Sequence, residues 1–198
     1  MPAFAFIRAR RWFAAGLVGL LTFAGILPIA AQTQAARTPK TPNEIRAGLI
    51  LVFADFTEWP KDTPPLADGL VIGFVKAADL KVAMAVELKK DPNSKVKLVE
   101  VSAEAEAAKC HILYFGKNDR ESQQLLQTIR NQPILTVGEG RTFLGANGNQ
   151  GVVAFGFQGP GNLARIIYYV DVEAMDRAKI RLKAPILNKA APAKGERP

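Results

Sequence analysis

Four short apolar runs rich in β-branched residues recur between residues 70 and 138, and segments of helical composition separate them. They read LVIGFVK (70–76), KVKLVEVS (95–102), CHILYFG (110–116) and PILTVG (133–138). Runs of this length are too short for buried helices and have the composition of strands. Between them, residues 78–89 have helical composition, SAEAEAAK offers a cap at Ser102 and acidic first-turn residues for a short helix, and RESQQLLQTIRN places Leu125, Leu126 and Ile129 on one face. Strands that alternate with helices at this spacing build βαβ units, and these close into a largely parallel sheet covered on both faces. The fold class expected is α/β, with a mostly parallel central sheet and helices on both faces.

The flanks extend this reading. PNEIRAGLILVFADFTEW, residues 42–59, has helix-start chemistry at Pro42 and Asn43, with apolar residues at Ile45, Leu49, Val52, Phe53, Phe56 and Trp59. The spacing predicts an amphipathic helix stopped by Pro60. After the strands, QGVVAFGFQ and NLARIIYYVDV are two β-rich runs separated by GPG, which predicts an antiparallel hairpin at the sheet edge. EAMDRA then predicts a brief helix, and IRLKAPILNKA a short strand or a packed tail.

The amino terminus sets the address. Arg8, Arg10 and Arg11 precede the uncharged segment WFAAGLVGLLTFAGILPIAAQ, residues 12–32, and a Thr/Pro-rich stretch follows. This is the layout of a secretory signal peptide, with a cut after Ala31 or after Ala35; an uncleaved anchor is the alternative. The expected organisation is a signal peptide at 1–31, a linker at 32–41, one domain at 42–188 and a disordered tail at 189–198. An exported chain meets little nucleic acid, so none is expected as a partner. Any membrane contact would come through a partner or an uncleaved signal.

Charge and cysteine content narrow the chemistry. The net charge is +8, or +5 without the three signal arginines, and the basic residues form no block. Arg165, Arg177, Lys179, Arg181 and Lys183 lack the aromatic interleaving of a nucleic-acid surface. Cys110 is the single cysteine, which excludes an intrachain disulfide and suits a buried, inert thiol. His111 is the single histidine, and as a strand neighbour of Cys110 it points to the opposite face, so the two cannot share a metal or a substrate.

No catalytic constellation emerges. The loop GEGRTFLGANGNQG, residues 138–151, lacks the Lys-Ser/Thr pair of a phosphate loop and G-x-G-x-x-G spacing. Ser94, Ser102 and Ser122 lie in no nucleophile-elbow context. Asp55 and Glu58 can share a helical face but have no catalytic partner, and Phe53, Phe56 and Trp59 suit a core. No cofactor or catalytic residue is expected. Apolar contact candidates around the glycine-rich loop and the hairpin are Phe143, Leu144, Phe157 and Tyr168.

LILVFADFTEWP, residues 49–60, resembles the opening helix of the YfiR family of periplasmic proteins. LVIGFVK, KVKLVEVS and CHILYFG resemble its first strands in order, and PILTVGEGRTFLGANGNQGVVAFGF resembles its next stretch. FTEWP and CHIL are the distinctive pieces. Asp171, Ala184 and Pro185 stand where the family commonly has an asparagine and two serines. The resemblance implies a non-enzymatic periplasmic regulator that restrains an inner-membrane diguanylate cyclase and so modulates cyclic di-GMP signalling and biofilm formation, with a homodimer expected. The alternative is a periplasmic solute-binding module using the crevice beyond the carboxyl ends of the parallel strands.

Overall fold

The computed structural model describes residues 40–61, 63, 68–145, 151–159 and 165–192. All belong to one unit, Thr38–Pro198. The export segment, most of the linker, part of the glycine-rich loop, most of the GPG turn and residues 193–198 of the tail lie outside the described residues.

Parallel strands with intervening helices dominate, as the alternation requires. In chain order the elements are α1 (Pro42–Asp55), β1 (Thr57–Glu58), β2 (Val71–Val75), α2 (Ala78–Leu88), β3 (Lys97–Glu100) and α3 (Glu104–Ala107). β4 (Ile112–Phe115), α4 (Arg120–Ile129), β5 (Leu135–Glu139) and a 3-10 turn at Arg141–Phe143 follow. The chain continues through β6 (Val153–Gln158), β7 (Arg165–Val170), α5 (Val172–Arg177), β8 (Arg181–Leu182) and α6 (Ala184–Leu187). The main sheet has the order β3-β2-β4-β5-β6-β7, parallel through β6, and β7 closes its edge antiparallel to β6. β1 and β8 form a separate two-stranded pair.

Strand parity distributes the core. Ile72, Phe74, Ile112 and Tyr114 point to one face, where they meet α1, α2, α5 and α6. Val75, Leu113 and Phe115 point to the other, against Ala107 of α3, Leu126 and Ile129 of α4, and Phe143. The helices divide this way because the chain runs outward from β2 to β3 and then turns back past β2 to β4. Right-handed crossovers in opposite directions place α2 and α3 on opposite faces.

α1 is shorter than its apolar pattern predicts, and it buries a different face. Its start is well built: Thr41 Oγ1 accepts from the Glu44 N–H at 3.2 Å, and the Glu44 carboxylate accepts from the Thr41 N–H at 2.6 Å. It stops at Asp55 because the chain beyond finds strand partners. The Phe56 carbonyl accepts from the Lys183 N–H at 2.9 Å, Thr57 and Glu58 pair with Leu182 and Arg181, and Thr57 Oγ1 donates to the Phe53 carbonyl at 2.6 Å. Ala47, Ile50 and Phe53 are buried, whereas Ile45 and Val52 are exposed. Asp55 and Glu58 are both exposed, on a helix and a strand respectively, and so form no carboxylate pair on one helical face.

Two further boundaries move. The packed chain runs past the expected domain end at 188: the Ala191 N–H donates to the Tyr168 carbonyl at 2.8 Å, and the Pro192 carbonyl accepts from Arg141. α3 is capped at Ala103 rather than Ser102, because the Glu106 carboxylate collects the N–H groups of Ser102 and Ala103 together with the Ser102 hydroxyl.

Candidate functional site

The order of the sheet reverses between β2 and β4, and the strands on either side lead away from each other beyond that point. Such a divergence leaves a crevice at the carboxyl ends of the strands. Here it is a cavity of about 920 Å³, walled by the exits of β2, β3, β4 and β5, the first turn of α2 and the start of α1. Its volume is of the size that small-molecule pockets have.

Backbone geometry at the crevice is constrained. Lys76, the residue after β2, has φ +52°, a conformation that costs a side-chain-bearing residue of the order of 1 kcal/mol or more. Gly116, the residue after β4, lies against it: a Cβ there would stand 2.4 Å from the Lys76 carbonyl oxygen. The two exits can approach this closely only because one is glycine. Lys76 Nζ is held by Asp119 at 2.7 Å and Glu121 at 2.6 Å. Asp119 also caps α4 by accepting from the Ser122 N–H at 3.0 Å. Its carboxyl is held well below the usual carboxylate range, first by Lys76 and then by that N–H.

The inner wall carries a four-residue polar network. Arg46 Nη2 donates to Glu139 Oε2 at 3.1 Å, and Arg46 Nε lies 2.8 Å from Glu139 Oε1 without being aimed along it. The Tyr114 hydroxyl donates to Glu139 Oε1, and Arg46 Nη1 donates to Asn43 Oδ1 at 3.2 Å. Burial, and then the Glu139 charge, push the Tyr114 hydroxyl well above its ordinary range, so it is a permanent donor at physiological pH. The Arg46 guanidinium also lies over the Phe157 ring, 5.2 Å from its centroid. One side chain from α1 thus links the crevice to the exposed hairpin.

Of the four apolar contact candidates, Phe157 alone is exposed, at 55%. Phe143, Leu144 and Tyr168 are core residues and offer no surface. The Phe143 ring stacks obliquely on Phe115 at 5.5 Å and fills the space that a Cβ at Gly138 or Gly151 would enter, 2.4 and 1.8 Å from its ring atoms. The glycines at the two ends of this loop therefore make room for an aromatic ring. Tyr168 stands edge-on to Phe53 at 5.0 Å and donates its hydroxyl to the Ile186 carbonyl at 2.8 Å.

Cys110 and His111 face opposite ways, as strand parity demands. Cys110 is buried in the core beneath α3 and α4, with Sγ 3.5 Å from the Glu106 carbonyl, and burial pushes the thiol up to about 11. His111 Nδ1 accepts from the Val71 N–H at 3.0 Å, and its ring meets Trp59 edge-on at 5.9 Å. FTEWP and CHIL therefore touch each other at the amino-terminal edge of the sheet, the end opposite the crevice. Among the described residues no group of three or more His, Cys, Asp or Glu could hold a metal ion.

Comparison with protein-family models matches the chain to the YfiR/HmsC-like model over residues 43–191. The chain belongs to the YfiR/HmsC-like family. No curated protein matches it significantly. The YfiR/HmsC-like match opens in α1 and ends at Ala191, where the chain pairs with β7, so it spans the whole packed domain described above.

Sequence reasoning did not find Arg46, Lys76, Tyr114 or Glu139. A signal was present for one of them: Arg46 is the lone charge between Glu44 and Asp55 in an otherwise apolar helix. A charge so placed needs a buried or half-buried partner.

Proposed function

We propose that this YfiR/HmsC-like protein is a non-enzymatic periplasmic regulator that binds and restrains an inner-membrane diguanylate cyclase, lowering cyclic di-GMP output and biofilm formation. Family membership across 43–191 carries the reading. The basic, then apolar, then polar order of residues 1–41 supports export. Among the described residues no helix is long and apolar enough to cross a membrane.

An exported domain reaches a cytoplasmic signal only through a protein that spans the membrane. Restraint is then a population shift, in which the regulator binds the inactive cyclase conformation more tightly than the active one. Phe157 is the apolar contact we assign to that surface. A homodimer would present two such surfaces to a dimeric cyclase. Affinity capture from membrane extract, with the exported protein as bait, tests this: a membrane cyclase with a periplasmic portion should be retained by the native protein and lost with Phe157→Asp. Retention of no cyclase by the native protein would sink the reading.

The crevice favours a second reading, in which the protein takes up a small solute. The two are compatible, since Arg46 touches both the crevice and Phe157.

A further inference from the structure

We propose that the crevice between the exits of β2 and β4 binds a small, neutral polyhydroxylated molecule of the monosaccharide class. The inference rests on reading the crevice as a ligand compartment and does not depend on the cyclase partnership.

Charge balance is the first argument. Most charges lining the cavity are already matched within the protein: Arg46 by Glu139, Lys76 by Asp119 and Glu121, and Glu100 by Lys81 at 2.8 Å. Glu106 is matched by two backbone N–H groups and a hydroxyl. Among the described residues, the two lining charges left without an ion pair or side-chain hydrogen bond are Asp79 and Lys117, one of each sign. An anion would meet no lining cation free of a partner but Lys117, and a cation no lining carboxylate free of a partner but Asp79, while a neutral ligand displaces no ion pair.

Hydrogen-bond geometry is the second. Arg46 Nη2 and Glu139 Oε2 stand 3.1 Å apart on the inner wall, a donor beside an acceptor. Two hydroxyls on neighbouring carbons match that arrangement, one accepting from the guanidinium and the other donating to the carboxylate. Asn43, Ser102, Asp79 and Lys117 add donors and acceptors around the same space.

Titration calorimetry on the protein purified from the periplasm tests it. The probes are D-glucose, D-galactose, D-mannose and D-ribose, with L-lysine, succinate and inorganic phosphate as charged comparisons. At least one sugar should bind saturably at a single site, and Glu139→Gln should weaken it at least about tenfold. Because Glu139→Gln leaves Arg46 short of a partner, the exposed Asp79→Asn serves as a second variant, with a several-fold loss and an unchanged melting temperature. Binding of a charged probe alone would overturn the sugar assignment while keeping the crevice as a site. Absence of binding by every probe, or sugar binding untouched by both variants, would overturn the crevice itself.

Discussion

Glu139 holds two groups at once, the Arg46 guanidinium and the Tyr114 hydroxyl, so its loss is felt by both. Glu139→Ala should lower unfolding free energy by about 1–3 kcal/mol in urea denaturation, mostly through the buried guanidinium it leaves behind. Tyr114→Phe, which removes only one of the two contacts, should cost about 1 kcal/mol; a larger loss than that of Glu139→Ala would contradict the shared network. Cys110 makes a different prediction. Its thiol titrates near 9 when free of the fold and about 11 when buried, so its contribution is complete below about pH 9 and is lost as pH rises through about 11. A thiol reagent at pH 8 should therefore leave the native protein unmodified and react fully once urea unfolds it. At the acid end, Asp119, Glu44 and Glu106 are all held below the usual carboxylate range, by Lys76, Thr41 and Ser102 respectively. Stability should fall as pH drops below about 4 and these groups protonate.

At the level of elements, Phe143 shows how packing resolves what a local pattern leaves open. Its ring stands where a side chain on Gly138 or Gly151 would go. Gly138→Ala should therefore cost about 1–3 kcal/mol by overpacking, and Phe143→Ala about 3–5 kcal/mol by leaving a cavity; thermal or urea unfolding checks both. The strands and most helices were legible because each signal is local: β-branched runs, a Pro-Asn helix start, and the apolar face of α4. The end of α1 was not, since Phe56 and Trp59 continue a helical spacing while the partners that draw Thr57 and Glu58 into a strand lie far along the chain in β8. The crevice was legible only as a place, because the alternation of elements implies a divergence of strands but not which side chains meet there. Arg46, Tyr114 and Glu139 come from three elements, and no spacing links them. Leu144 and Tyr168 look like contact residues beside a loop and a hairpin, yet each is covered by another part of the chain.

For the molecule as a whole, the two ends of the sheet differ in character. FTEWP and CHIL meet at the amino-terminal edge as a packed Trp59-His111 contact, while the polar crevice opens at the carboxyl edge beside the exposed Phe157. Phe157→Asp should change stability by no more than about 0.5 kcal/mol, since the ring is largely in water, yet it should weaken partner capture. A stability loss of several kcal/mol would instead mark Phe157 as structural. The central claim is that an exported YfiR/HmsC-like domain restrains a cyclase across the membrane. Its most direct measurement is intracellular cyclic di-GMP in cells that carry the native protein, lack it, or carry it without its export segment. The account predicts a rise when the protein is absent, restored by the exported form and not by the form kept in the cytoplasm; an unchanged cyclic di-GMP level in all three would contradict it.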